Sequence, residues 1–93
     1  MKNYAQNVED LMEKELYMRG TPYEGLLPMY SLLVFVVGED CTNENIHDAW
    51  SLWQKVTQPN HRSLKPFEEL TKEVQDLDEP YRQAVIKVAK LLK

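Results

Sequence analysis

Glu44-Asn45-Ile46-His47-Asp48-Ala49-Trp50-Ser51-Leu52-Trp53 carries the periodicity that decides the fold. Extended to Val56, it sets Ile46, Ala49, Trp50, Trp53 and Val56 at i, i+3, i+4, i+7 and i+10. That is the spacing of one apolar helix face, and it places both indoles on that face one turn apart. Thr42 or Asn43 stands where the helix needs its N-cap, Glu44 lies in the first turn beside the positive end of the dipole, and the helix should reach about Lys55. His47 and Ser51 flank the apolar face, and Asp48 points away from it.

Towards the N-terminus the same period predicts a helix from about Asn3 to Tyr17, where Tyr4, Val8, Leu11, Met12 and Leu16 form one stripe and Gly20-Thr21-Pro22 stop it. A second helix should start near Pro28, which tolerates the first turn because the N–H it lacks has no intrahelical partner there, and end before Gly38. It is apolar on nearly every side and is expected to be central. Towards the C-terminus, Pro59, Asn60 and Ser63 mark Thr57 to Lys65 as loop, and Pro66 opens a short turn that presents Phe67 and Leu70 inward. Asp78, followed by Glu79 and Pro80, signals a last helix with Tyr81, Ala84, Val85, Val88, Ala89 and Leu92 as its stripe and Lys87, Lys90 and Lys93 near its end. The tally is all-α: about four helices in a single domain over residues 1–93, with a structured loop between helices three and four and a small hairpin there as the only room for strand.

Composition narrows the class. At 93 residues a chain holds one core and buries about 60 to 65% of its unfolded surface. A net charge of −4 with 11 basic residues spread along the chain lacks the clustered positive face that phosphate-dominated nucleic-acid binding requires. The longest apolar run, Leu26 to Val37, contains Pro28 and is well short of the roughly twenty residues that span a bilayer. Cys41 is the single cysteine, so no internal disulfide forms, and with no secretory signal pattern at the start of the chain a reducing cytoplasm fits best.

Catalytic and metal chemistry find little purchase. His47 and His61 are fourteen apart, with no second ligand at i+3 or i+4, and neither H-E-x-x-H nor C-x-x-C occurs, so no metal or other cofactor is expected. Cys41 precedes a helix N-terminus, where a thiolate is favoured, but no glycine turn of the oxyanion type accompanies it; Glu39-Asp40 and Glu68-Glu69 are adjacent and therefore divergent. The chain reads as a non-enzyme. Trp50, Trp53, His47, His61, Arg62 and Lys65 are the set that looks like a binding site, with an indole to stack on a planar ligand and basic groups to meet its phosphates or carboxylates. Against this stand plainer roles: Trp50 and Trp53 as packing residues, His47 bonded to a backbone group or to the Phe67 turn, Arg62 and Lys65 solvated.

The pattern E-N-I-H-[DE]-x-W-[SA]-L followed by H-x-x-L-x-x-F-x-x-L resembles the RyR repeat, a small helical module, over roughly Thr42 to Leu92. The matching positions are Ile46, His47, Trp50, Leu52, His61, Leu64, Phe67 and Leu70. The core H-D-A-W-S-x-W with P-F-E-x-L is similar to a small phage and actinobacterial family of unknown function, in which Leu26 to Gly38 would belong to the domain as well. The usual G-W-x-Y-G segment of the repeat is absent here. The resemblance implies a ligand sensor or interaction module, an amphipathic helix over Glu73 to Leu92, and a cytoplasmic, phage-encoded setting.

The expectation is thus a non-enzymatic module that senses or sequesters a nucleotide-like or other small anionic ligand near Trp53, His47, His61 and Arg62. The competing expectation is an acidic adaptor or inhibitor that offers Glu39, Asp40, Glu44, Asp48, Glu68 and Glu69 to a basic host protein. A third is a homo-oligomer subunit, which an exposed remainder of the Leu26 to Val37 helix would favour.

Overall fold

The computed structural model describes residues 3–93. Its helices are α1 (Tyr4–Leu16), α2 (Leu26–Val36), α3 (Asn43–Thr57), a single turn α4 (Lys72–Asp76) and α5 (Glu79–Leu91). Two 3-10 turns, Gly38–Asp40 and Phe67–Glu69, complete the order, and no strand or hairpin occurs among the described residues. The all-α expectation holds.

Local chemistry accounts for the boundaries. The Asn3 side chain accepts from the Gln6 N–H and starts α1; Thr42 accepts from the Asn45 N–H while Asn45 accepts from the Thr42 N–H, a reciprocal cap that starts α3. Pro28 falls in the first turn of α2, which begins two residues earlier than the sequence suggests, and Gly38 follows the helix at φ +56°. α1 ends at Leu16, within a residue of the expected end, and its C-cap Tyr17 is a non-glycine residue held left-handed at φ 53°.

α2 packs against α1, α3 and α5, and α1 also packs against α5. The core lies among these four, with Met12, Leu27, Tyr30, Ile46, Val85 and Val88 essentially inaccessible. Lys87 bonds Glu15 at 3.0 Å across α5 and α1, and Lys93 pairs with Glu39 of the first 3-10 turn.

Three sequence expectations change. α2 is not covered on all sides: Leu32, Phe35 and Val36 are exposed, because a chain of this size has no further helix to lay over its outer face. Tyr4 and Val56, placed on buried stripes, are 77% and 76% exposed, since each lies at an end of its helix; Tyr4 covers only the edge of Phe35. The helix that the resemblance implies over Glu73 to Leu92 is divided at Leu77-Asp78 into α4 and α5, with α5 starting where Asp78-Glu79-Pro80 signals it. No helix among the described residues is long and apolar enough to cross a membrane.

Candidate functional site

His47, one turn into α3, is buried, and its Nε2 lies 2.7 Å from the main-chain oxygen of Lys65. A carbonyl can only accept, so Nε2 carries the hydrogen and donates it. That bond, with a ring contact to Phe67 at 6.2 Å, ties the loop 58–66 to α3. The next turn of α3 brings Trp50 over the His47 ring, with centroids 5.6 Å apart and planes at 23°. His61 of the loop meets Trp50 edge-on at 5.1 Å, and its Nδ1 accepts from the Ser63 N–H, which leaves the hydrogen of the neutral ring on Nε2. Opposite, Tyr30 of α2 and Tyr81 of α5 lie ring to ring at 5.2 Å.

Between these aromatic groups is a cavity of about 360 Å³ lined by Tyr23, Leu26, Tyr30, His47, Trp50, His61, Ser63, Val74, Leu77, Asp78 and Tyr81. The turn before α2, α2, α3, the loop after it, α4 and the start of α5 all contribute. Tyr23 comes from the turn before α2, and Val74 from α4, whose position against the Phe67 turn is set by Gln75 donating to the carbonyls of Phe67 and Leu70 at 2.9 and 3.3 Å.

The charge in this cavity is Asp78, and the reason its carboxylate is available is local. Asp78 occupies the N-cap position of α5 but makes no side-chain capping bond, its backbone being helical at φ −82° and ψ −12° rather than extended. An N-cap carboxylate normally accepts from the second or third N–H of its helix. Here the second residue is Pro80, which has no N–H, and the N–H of the third, Tyr81, is taken by the Asp78 carbonyl at 3.1 Å. Among the described residues the Asp78 carboxylate has no hydrogen-bond donor. Burial pushes its pKa up to about 6, against a smaller downward pull from His47. Burial also raises the Tyr30 phenol, so Tyr30 enters the cavity as a neutral hydroxyl.

Of the residues singled out from the sequence, the structure brings His47, Trp50 and His61 together in this wall. Trp53 lies elsewhere: its indole covers Gly25 and touches the Tyr23 ring at 6.1 Å, a packing role at the start of α2. Arg62, between the lining residues His61 and Ser63, is exposed and outside the wall. The Lys65 side chain lines a separate groove of about 600 Å³ with Asp48, Ser51, Leu52, Lys55, Pro59, Leu64 and Pro66. Tyr23, Tyr30, Asp78 and Tyr81 were not foreseen as site residues. The pair Asp78 and Pro80 was the readable signal, since a proline two places after an N-cap removes one of the donors the cap would use.

Chemically the site can stack, hydrogen-bond and accept a cation or donor. No group of three or more His, Cys, Asp or Glu residues among those described could hold a metal ion. Cys41 is buried, and burial pushes its thiol up to about 11, outweighing the downward pull of Arg82, which disfavours the thiolate at neutral pH.

Comparison with known proteins corrects the RyR-repeat resemblance. The family model that matches is described as a domain of unknown function (DUF7701), and it matches residues 3–90, taking in α1 and α2 together with the Trp50 helix. No RyR repeat is found, although Ile46, His47, Trp50, Leu52, His61, Leu64, Phe67 and Leu70 follow its pattern. No curated protein and no solved structure matches the chain. With the match running over nearly its whole length, the chain belongs to the family of the domain of unknown function DUF7701.

Proposed function

We propose that this protein is a non-enzymatic binding module whose cavity holds the planar part of a small ligand. The observation that carries the reading is the wall itself: Trp50, Tyr30, Tyr81, Tyr23 and two imidazoles converge with one carboxylate on about 360 Å³. Ligand pockets run from about 300 to 1,000 Å³, and this one stands at the small end of that range.

The anionic part of a nucleotide-like ligand does not fit inside. No lysine or arginine lines the cavity, and a phosphate placed there would face Asp78. Such a ligand would keep its ring against Trp50 and its phosphate in solvent, on the side of the exposed Arg62. The buried, unpaired thiol of Cys41 supports a reducing compartment such as the cytoplasm.

The test is a thermal-shift and calorimetric titration with nucleobases, nucleosides and their phosphates against wild type, Trp50→Leu and Trp53→Leu. A ligand at 100 times its dissociation constant raises stability by about 2.7 kcal/mol. Binding lost in Trp50→Leu and kept in Trp53→Leu is expected; equal binding by Trp50→Leu and wild type would sink the reading.

One observation favours the adaptor as a second reading. Asp40 at the end of the first 3-10 turn and Glu44 and Asp48 in the first turns of α3 are exposed, with Glu68 and Glu69 exposed on the following 3-10 turn. A partner held by these groups would be released as ionic strength rises from 0.05 to 0.5 M, because the Debye length falls to a few ångströms.

A further inference from the structure

We propose that Asp78 is the anchor of the cavity, and that the ligand is one presenting an amidine-type N–C–N donor edge, two N–H groups side by side, to its carboxylate while the rest of its ring lies among Trp50, Tyr30 and Tyr81. The inference rests on the binding-module reading and names the chemistry of its ligand.

Three observations carry it. First, the carboxylate lines the cavity with both oxygens free of donors: its own helix offers none, because Pro80 stands at the second position and the Tyr81 N–H is occupied by the Asp78 carbonyl. A carboxylate has four acceptor sites and no donor, so it calls for a ligand that presents hydrogen-bond donors. Second, no other polar side chain of the wall is hydrogen-bonded to it. The Nε2–H of His47 is committed to Lys65, and the His61 Nδ1 is committed to Ser63. Third, the surrounding surface is aromatic. The faces of Trp and Tyr rings are electron-rich and favour a cation or a donor-edged heterocycle over an anion.

A planar fork of two N–H groups meets a carboxylate through two parallel bonds, the geometry that makes guanidinium–carboxylate pairs strong. Two kinds of molecule carry that edge: an amidinium or guanidinium cation, and a neutral amino-imino heterocycle such as guanine. The pKa displacement of Asp78 agrees with the geometry, since a half-buried carboxylate without a partner is what a donor arriving from the ligand would relieve.

The experiment titrates the full chain at pH 7.5 by calorimetry with benzamidinium, 9-methylguanine, benzamide and benzoate, for wild type, Asp78→Asn and, as a charge control outside the cavity wall, Glu79→Gln. The expected result is saturable binding of benzamidinium or 9-methylguanine, at least ten-fold weaker in Asp78→Asn and unchanged in Glu79→Gln, with benzoate excluded. Benzamidinium binding alone assigns the site to cations; 9-methylguanine binding as tightly or more tightly assigns it to the neutral heterocycle. If benzamide binds as well as benzamidinium, and Asp78→Asn leaves both unchanged, the anchor is wrong while the planar-ligand cavity stands. If none of the four binds wild type while other planar ligands bind through Trp50, the anchor again fails alone. If nothing planar binds at all, both fall. Circular dichroism on each variant confirms that the comparison is between folded proteins.

Discussion

His47 and Lys65, 18 residues apart, are joined by an imidazole N–H donated to a main-chain carbonyl at 2.7 Å, a bond that, with the His61–Trp50 ring contact, holds the loop 58–66 against α3. Because the same ring stacks on Trp50, the bond also orients one wall of the cavity. His47→Ala removes a buried ring and frees the loop, and should lower stability by about 1 to 3 kcal/mol. Urea unfolding would measure this, and amide exchange should show the loss of protection confined first to residues 58–66. A loss spread evenly over all five helices would contradict a local clamp.

Gly25 and Trp53 are in a relation that admits no side chain. A Cβ on Gly25 would lie 2.6 Å from the indole Nε1 and 3.0 Å from Cδ1. Gly25→Ala should therefore destabilise by about 1 to 3 kcal/mol, the usual range for overpacking. In a Trp53→Leu background the same substitution should cost much less, and a double-mutant cycle measured by chemical denaturation reads the coupling directly. Additive effects would show that Trp53 is not what the Cβ meets.

Tyr17 holds the left-handed conformation that closes α1, at φ 53°, with its side chain 77% exposed. Left-handed backbone costs a non-glycine residue about 1 to 2 kcal/mol, while glycine gives back part of the gain through a freer unfolded chain. Tyr17→Gly should raise stability by about 0.5 to 1 kcal/mol, which for a domain of this size is a melting temperature higher by roughly 2 to 8 °C. A lower melting temperature would mean that the exposed ring contributes more than the backbone strain.

Asp78 gives a pH dependence with a definite sign. Its carboxyl ordinarily titrates at 3.8 and burial pushes it up to about 6 in the folded protein. Between these values the folded state binds more protons than the unfolded one, so this group's contribution to stability falls as pH rises from about 4 to about 6 and is level above that. Asp78→Asn should remove the slope and stabilise the protein at pH 7 by on the order of 1 kcal/mol, allowing for solvent screening of a half-exposed carboxylate. Melting temperatures across pH 4 to 8 for both proteins make the comparison.

Cys41 should be slow to react. It is 4% exposed, and burial pushes its thiol up to about 11. A thiol reagent at pH 7.5 should modify it only at the rate at which the protein opens, and at once in denaturant. Rapid reaction of the native protein would place the thiol at the surface.

Helices and their buried faces were largely legible in the sequence, because helical periodicity is a local property that each segment carries by itself. Val8, Met12, Ile46, Ala49, Ala84, Val85 and Val88 were all placed on inward stripes and all are buried. Where the reading went astray, the missing information was what stands opposite. Val56 and Tyr4 belong to the right stripes but stand at helix ends, where little covers them, and α2 looks central by composition yet has only three helices to lean on.

The site was legible in part for the same reason. His47 and Trp50 could be found because they sit one turn apart on one helix, whereas Tyr23, Tyr30, Asp78 and Tyr81 become neighbours only when α2 and α5 close on α3. Trp53 shares its stripe with Trp50, yet the turn at Gly25 takes it into packing and leaves Trp50 to the cavity. By itself the sequence determined the helices, most of their caps and the faces that seek cover, since these depend on residues within a few turns of one another. Tertiary structure alone decided which aromatic rings surround the cavity and that the Asp78 carboxylate, denied a capping bond by the neighbouring Pro80, lies among them, because burial and ring contacts are set by groups distant along the chain.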